Sequence, residues 1–304
     1  MRNATVIIPT YGRAKLLASL LDTYLAQDNV ARVIIVDDGS AVPVSDFVSE
    51  SRRVSVVRHP RSLGLPAARN TGLAMADTEF VVFGEDDAYF EAGYVAKLLA
   101  FLQERPMDLA VGRLIRLLPE ESDAQALQRL SADRGDVFDR VFINVVSHRA
   151  TCATRVPFAH ALMAGRTELF MSLQFSTRLG GPSFMGEDRE LQLQAIKRGG
   201  SVWVLPDTNA FHLARTTTTG GVRPVSSDAV RIVSNALNLW LVQNDSIREM
   251  QPFFPGLTPD SLRRRSAYGA ALLEVKRTVR ARSPLIDRLI CAVRSSGSDR
   301  SSEA

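Results

Sequence analysis

Four short apolar runs, Thr5–Ile8, Val33–Val36, Val54–Val57 and Phe80–Phe83, alternate with segments of a different rhythm. Each run is largely apolar and too short for a helix, as buried strands are. Between them, Ala14–Ala26 carries Leu16, Leu17, Leu20, Leu21 and Tyr24 at helical intervals, and Ala67–Ala76 reads as a second helix. A short segment near Val44–Ser51 separates the second and third runs, and Pro9 is expected to end the first. This order predicts βαβ crossovers and a parallel sheet covered on both faces. Ligands of such sheets bind beyond the carboxyl ends of the strands. Three polar groups fall at those ends: Pro9-Thr10-Tyr11-Gly12-Arg13, Asp37-Asp38-Gly39-Ser40 and Glu85-Asp86-Asp87. Their convergence on one sheet edge is the main argument for a single site.

The acidic triplet is the most telling of the three. Like charges a few Å apart in a poorly solvated cleft repel unless a cation neutralises them. Oxygen-rich carboxylate sites suit Mg²⁺ or Mn²⁺, which take one or two carboxylates and complete their shell with phosphate oxygens. A cation-bridged diphosphate is therefore the ligand this edge is expected to bind, against the plainer alternative of a solvated acidic turn.

Farther along, a helix is expected at Ala92–Gln103 and a strand at Leu109–Leu117, followed by a polar, helix-prone segment from Pro119 to Ala132. Val137–Arg166 shows no readable period. Gly180-Gly181-Pro182-Ser183 reads as a loop. Gly186-Glu187-Asp188 then opens a helix to about Arg198, its acids favoured in the first turn by the helix dipole. Val202–Leu205 reads as a strand, Pro206-Asp207 as a turn and Arg215–Gly221 as a threonine-rich loop. A helix at Ser227–Gln243 carries the apolar stripe Val230, Val233, Leu237 and Leu241. Trp203 and Trp240 read as core residues, and His59, His148 and His160 show no partner pattern.

Two cysteines, Cys152 and Cys291, are far apart and form neither a disulfide framework nor a zinc spacing. That cysteine usage makes a reducing cytoplasm the expected location. Apolar stretches fall short of a membrane span, so the chain is expected to work in water or at a surface. From Ser261 onward ten Lys/Arg stand against four Asp/Glu, while the remainder is slightly acidic. The apolar set Leu285, Ile286, Leu289, Ile290 and Val293, flanked by Arg288 and Arg294, gives this basic end one apolar helical face. It reads as a packing face or as a peripheral contact with anionic membrane. Nucleic acid is not an expected partner, because aromatics are almost absent from the basic stretch.

Taken together, several blocks resemble the family-2-like glycosyltransferases of the GT-A fold. They are Val6–Arg13, Val33–Ser40, Ala67–Leu73, Phe83–Asp87 and Gly186–Leu191, with His212 following, and they cover roughly residues 4–215. The resemblance implies an α/β GT-A fold with a mostly parallel, Rossmann-like central sheet, helices on both faces and a helical C-terminal region. A catalytic and nucleotide-sugar-binding part is expected at 1–225 and a helical part at 226–294, and the Ser-rich, charged stretch 295–304 is expected to be a disordered tail. Pro9, Thr10 and Tyr11 would line the base and ribose. Asp38 would hydrogen-bond the base, with Arg69 and Asn70 beside the nucleotide. Asp87 would bind Mn²⁺ or Mg²⁺ with Glu85 and His212, and Asp86 would meet the ribose or a metal-bound water. Asp188 would be the catalytic base, with Glu187 orienting it or contacting the acceptor. Glu85 replaces the more usual Asp, and Ser62-Leu63-Gly64 replaces an Asn-x-Gly block.

The implied activity is metal-dependent, inverting transfer from a nucleotide-diphosphate sugar to an acceptor hydroxyl. A UDP-sugar is the first choice, with thymidine and guanosine nucleotides open. Two other readings stand beside it. A sugar nucleotidyltransferase would carry a Gly-rich, Arg-containing loop after the first strand, where this chain has Pro-Thr-Tyr-Gly-Arg. An inactive carbohydrate-binding or scaffold module would not need Asp87, Asp188 and His212.

Overall fold

The computed structural model describes residues 3–133, 135–140, 143–179, 185–214 and 228–267, with 269 and 271. The loops expected at Gly180–Ser183 and Arg215–Gly221, the apolar set at 285–293 and the tail from 295 lie outside the described residues.

The chain runs β1 (Ala4–Thr10), α1 (Ala14–Leu25), β2 (Val30–Asp37), β3 (Val54–Arg58), α2 (Leu65–Ala74) and β4 (Phe80–Phe83). It continues through β5 (Ala88–Phe90), α3 (Tyr94–Leu102), β6 (Leu109–Arg116), α4 (Asp123–Ser131) and a small pair, β7 (Phe138–Asp139) with β8 (Asn144–Val145). Then come β9 (Thr154–Val156), β10 (Ala164–Arg166), α5 (Thr167–Leu173), α6 (Glu187–Lys197), β11 (Val202–His212), α7 (Asp228–Asn244) and α8 (Ile247–Met250). The main sheet has the order β3-β2-β1-β4-β10-β6-β11-β5, with β9 also paired to β11. Strands β3, β2, β1 and β4 are mutually parallel, as are β6 and β11; β10, β5 and β9 run against their neighbours. This is the mostly parallel α/β sheet expected, with helices on both faces.

Alternate residues of the central strands feed two cores. Val6, Ile8 and Val82 pack with Leu17 and Leu21 of α1 and Leu98 and Leu102 of α3. Ile7, Val81 and Phe83 face the other way, onto Leu73 of α2, Phe170 of α5 and Leu191 of α6. A third core joins Leu193 of α6 to Val242, Ile247 and Met250 of the C-terminal helices.

Three local departures from the expectations have clear causes. Strand β1 continues through Pro9. Ile7 accepts from Gly84 N–H on the β4 side, so Pro9, two residues on, turns its missing N–H to that side, where β4 has already ended. Strand β11 likewise runs through Pro206-Asp207, which was expected to turn; its register on β6 shifts between Val204 and Asn209, so the proline sits in a bulge and breaks no ladder bond. On α7, the expected stripe is not the buried face. Val233 and Leu237 are exposed, whereas Asn235, Asn238, Leu239 and Val242 are buried.

Candidate active site

The acidic turn after β4 is held from below by Tyr24 of α1. Its buried hydroxyl lies 2.8 Å from the Glu85 carbonyl and 2.7 Å from that of Ala88, and accepts from Glu85 N–H at 3.2 Å. Gly84 permits this approach, because a Cβ there would come within 2.9 Å of the Tyr24 ring. From the other side, Leu213 N–H donates to the Asp87 carbonyl at 2.9 Å, tying the turn to the end of β11.

These anchors bring Glu85, Asp87 and His212 together, with one ligand atom from each lying within 4.8 Å of the others. His212 Nε2 is 3.7 Å from Glu85 Oε2 and 3.5 Å from Asp87 Oδ1, longer than hydrogen bonds. Its Nδ1 lies 2.9 Å from the Leu213 carbonyl, which can only accept, so Nδ1 carries the proton. In the neutral ring the Nε2 lone pair then faces the same space as the carboxylate oxygens of Glu85 and Asp87. A backbone carbonyl fixing the tautomer in this way is the usual support of a metal-binding imidazole. Two carboxylates and one imidazole, short of a full shell, fit Mn²⁺ or Mg²⁺ completed by phosphate oxygens.

Arg13, at the start of α1, donates to Asp86 at 2.9 Å and to Asp87 at 2.6 Å, and Thr10 Oγ1 donates to Asp86 at 2.6 Å. On the far wall, Gly186 in the left-handed region (φ +100°) turns the chain into α6 beneath Leu239 and Val242 of α7. The first two residues of α6 are Glu187, buried, and Asp188, part-exposed. Arg69 of α2 donates to Glu187. Thus Arg13 faces Asp86 and Asp87, Arg69 and Arg116 lie in electrostatic reach of Glu85, and Arg69 faces Glu187 beside Asp188. Five carboxyl groups stand against three guanidinium groups, a shortage of positive charge that a divalent cation would fill.

The acids register this deficit. Glu85 is pushed up to about 7 by burial at the cleft floor and by Asp87, with Arg69 and Arg116 opposing. Its side chain keeps some open surface, but protein atoms surround it. Asp86 rises to about 6, because burial and Asp87 outweigh Arg13. Glu187 rises to about 8 through burial and the neighbouring Asp188 charge, against Arg69. A raised acid retains in the fold a proton that the unfolded chain has released, so stability falls as pH rises through the folded value. Below pH 6.5 the neutral His160, lowered to about 4 by burial, contributes with the opposite sign. The clean window is therefore pH 6.5–8, the range over which Glu85 and Glu187 lose their protons in the fold. In EDTA the melting temperature should fall across that window, and Mn²⁺ should offset the fall. A flat melting temperature in EDTA would contradict this electrostatic picture.

The residues expected around a nucleotide divide into two groups. Pro9 and Thr10, at the end of β1, are buried, and Tyr11, the next residue, is part-exposed. Asp38, Arg69 and Asn70 are instead engaged by the protein. Asp38 accepts from His59 Nδ1, Ser62 Oγ, Leu63 N–H and Gly64 N–H at 2.5–2.9 Å. Burial opposes its charge, yet these four bonds hold its carboxyl below the usual range. The Ser62-Leu63-Gly64 departure is thus the clamp on Asp38. Asn70 Nδ2 donates to the Phe175 carbonyl at 2.8 Å and its Oδ1 accepts from Phe175 N–H at 2.9 Å. Arg13 and His59, which carry no expected role in the sequence, join the site through Asp86, Asp87 and Asp38. Both stand just past strand ends at the carboxyl edge, the position that had singled out the acids.

The model for "Glycosyl transferase family 2" matches residues 5–156, half of the chain. A pre-mycofactocin glycosyltransferase of Mycobacterium tuberculosis is 37% identical over 131 residues, 42% of this chain and 27% of that protein. An N-acetylglucosaminyltransferase of Rhizobium sp. is 25% identical over 216 residues, 67% of this chain and 47% of that one. The chain thus spans less than half the length of these two relatives. Among solved structures, a mannosyltransferase of Pyrobaculum calidifontis in complex with GDP-Man and Mn²⁺ shares the fold at a TM-score of 0.58 and 20% identity, over 96% of this chain and 79% of that one. TarS of S. aureus in complex with UDP does so at 0.54 and 19%, over 86% and 68%.

Proposed function

Because this chain belongs to glycosyl transferase family 2, on a GT-A fold, we propose that it moves a sugar from a nucleotide-diphosphate sugar to an acceptor hydroxyl, with a divalent cation and with inversion. The observation that carries the reading is the convergence of Glu85, Asp87 and the oriented His212 at the sheet edge, within electrostatic reach of Asp188 across the cleft. Glu85, Asp87 and His212 would hold Mn²⁺ or Mg²⁺, which when bound supplies positive charge to the leaving diphosphate. Pro9, Thr10 and Tyr11 line the base and ribose, and Asp86 faces the ribose. Asp38, Arg69 and Asn70, whose side chains the protein engages, shape the pocket from behind. Asp188 takes the proton of the attacking hydroxyl as general base. A single in-line displacement then inverts the anomeric centre.

A UDP-sugar is the first donor to test, since TarS is solved with UDP and with UDP-GlcNAc; the mannosyltransferase with GDP-Man puts guanosine donors second. A thermal-shift screen of nucleotide diphosphates, with Mn²⁺ and with EDTA, tests the reading. At least one nucleotide should raise the melting temperature, and only with the cation. No shift with any nucleotide would sink it. Slow, cation-dependent hydrolysis of the matching nucleotide sugar would separate a working enzyme from an inactive module.

The reading extends to the basic end as a peripheral contact with anionic membrane. Arg263, Arg264 and Arg265 are exposed on the helical turn over 259–267. No helix among the described residues is long and apolar enough to cross a membrane. The full chain should co-sediment with anionic but not neutral vesicles at low salt and detach as salt rises, because exposed charges are screened over about 10 Å at 0.1 M. Indifference to anionic vesicles at low salt would remove the membrane contact.

A further inference from the structure

Among the described residues, Arg69 is the largest side chain sealed from solvent, at 0% exposure. A buried guanidinium is expensive unless its donors are filled. Here one edge is filled and one is not. Nη1 donates to Glu187 Oε1 at the start of α6. Nη2 points toward Glu85 but stands 3.7 Å from its Oε1, and neither Nη2 nor Nε has a hydrogen-bond partner among the described residues.

The group is held rigidly. Its guanidinium centre lies 5.1 Å from the Phe175 ring centroid and 6.0 Å from that of Phe83, and the two rings meet edge to face at 5.0 Å. The Asn70 amide clasps the backbone of Phe175 in both directions, so the residue next to Arg69 fixes the ring on which Arg69 lies. Glu85 reaches the other way too, toward His212 at 3.7 Å through its second oxygen. One carboxylate therefore spans the candidate cation site and Arg69, and Arg69 spans that carboxylate and the acid beside Asp188.

We propose that Arg69 is a positioning residue. It steadies the oxygen of Glu85 that does not ligate the cation, and with the same planar fork it fixes Glu187 next to Asp188. Cation loading at the β4 turn and the alignment of the α6 acids are then set by one side chain. The inference rests on the cation reading above. It needs arginine: lysine offers a single point charge that cannot hold two carboxylates along two edges.

The test is Mn²⁺ titration by calorimetry without nucleotide, so that direct nucleotide contact cannot contribute. Loss of an outer partner of a metal ligand typically costs about 10–100-fold in metal affinity. Arg69→Lys should weaken Mn²⁺ by that amount in a protein whose circular dichroism is unchanged. In a Glu85→Gln background the same change should cost less than about twofold, because the effect passes through Glu85. Should Arg69→Lys misfold, the pair Arg69→Met with Glu187→Gln removes both buried charges together and should show the same loss of Mn²⁺ affinity. Unchanged Mn²⁺ affinity in the folded Arg69 variants, with Asp87→Ala still abolishing it, overturns the positioning role alone. Mn²⁺ affinity untouched by Asp87→Ala and by Glu85→Gln overturns the cation reading and this inference together.

Discussion

Asp188→Asn is expected to lower kcat with the true acceptor by about 10²–10⁴-fold, the usual worth of a positioned general base. The change keeps the shape of the side chain and its place at the first turn of α6. Its Oδ1 accepts the N–H of Arg189 at 2.8 Å, a bond the amide oxygen can keep. Donor affinity should therefore stay near the parent value while turnover collapses. That split between binding and turnover marks an interaction made in the transition state. Near-normal turnover by a folded Asp188→Asn protein would exclude the base role, and Glu187 would be the next group to examine.

Asp87→Ala should remove cation-dependent nucleotide binding almost entirely. Asp87 is buried, faces His212 at 3.5 Å and accepts from Arg13 at 2.6 Å. Its loss takes one of three protein ligands and leaves the Arg13 charge beside Asp86 alone. Two unit charges about 4 Å apart interact by about 4 kcal/mol at an effective dielectric near 20, so removing one carboxylate from this cluster alters cation binding by orders of magnitude. The fold should survive, because the backbone anchors of the turn, from Tyr24 and Leu213, do not involve the Asp87 side chain. A folded variant that binds nucleotide as tightly as the parent in Mn²⁺ and loses that affinity in EDTA would remove Asp87 from the cation site.

The first four strands were legible because each is a short, largely apolar run that ends in polar residues at one edge. That edge rule alone brought the acidic triplet and the Asp37-Asp38 turn to the same place. Strands β5, β9 and β10 were not legible. They are three residues long, too short to show a period, and β10 takes its place between β4 and β6 by antiparallel pairing with distant segments. The α7 face was misjudged because its buried side mixes Asn235 and Asn238 with Leu239 and Val242, so hydrophobicity alone selects the wrong stripe. Within the site, residues close in sequence were readable as blocks. The contacts between blocks were not. Arg69 meets Glu187 across 118 residues, and Asn70 meets Phe175 across 105. Both side chains suit a nucleotide, and only the three-dimensional arrangement shows the protein partners that engage them.

A nucleotide diphosphate docking through a cation held by Glu85, Asp87 and His212 must bind in a cation-dependent way. In calorimetric titrations of the unmodified protein with UDP, and with GDP in parallel, at least one nucleotide should bind saturably with Mn²⁺ and lose most of that affinity in EDTA. Binding of the same strength in EDTA would rule out the cation bridge.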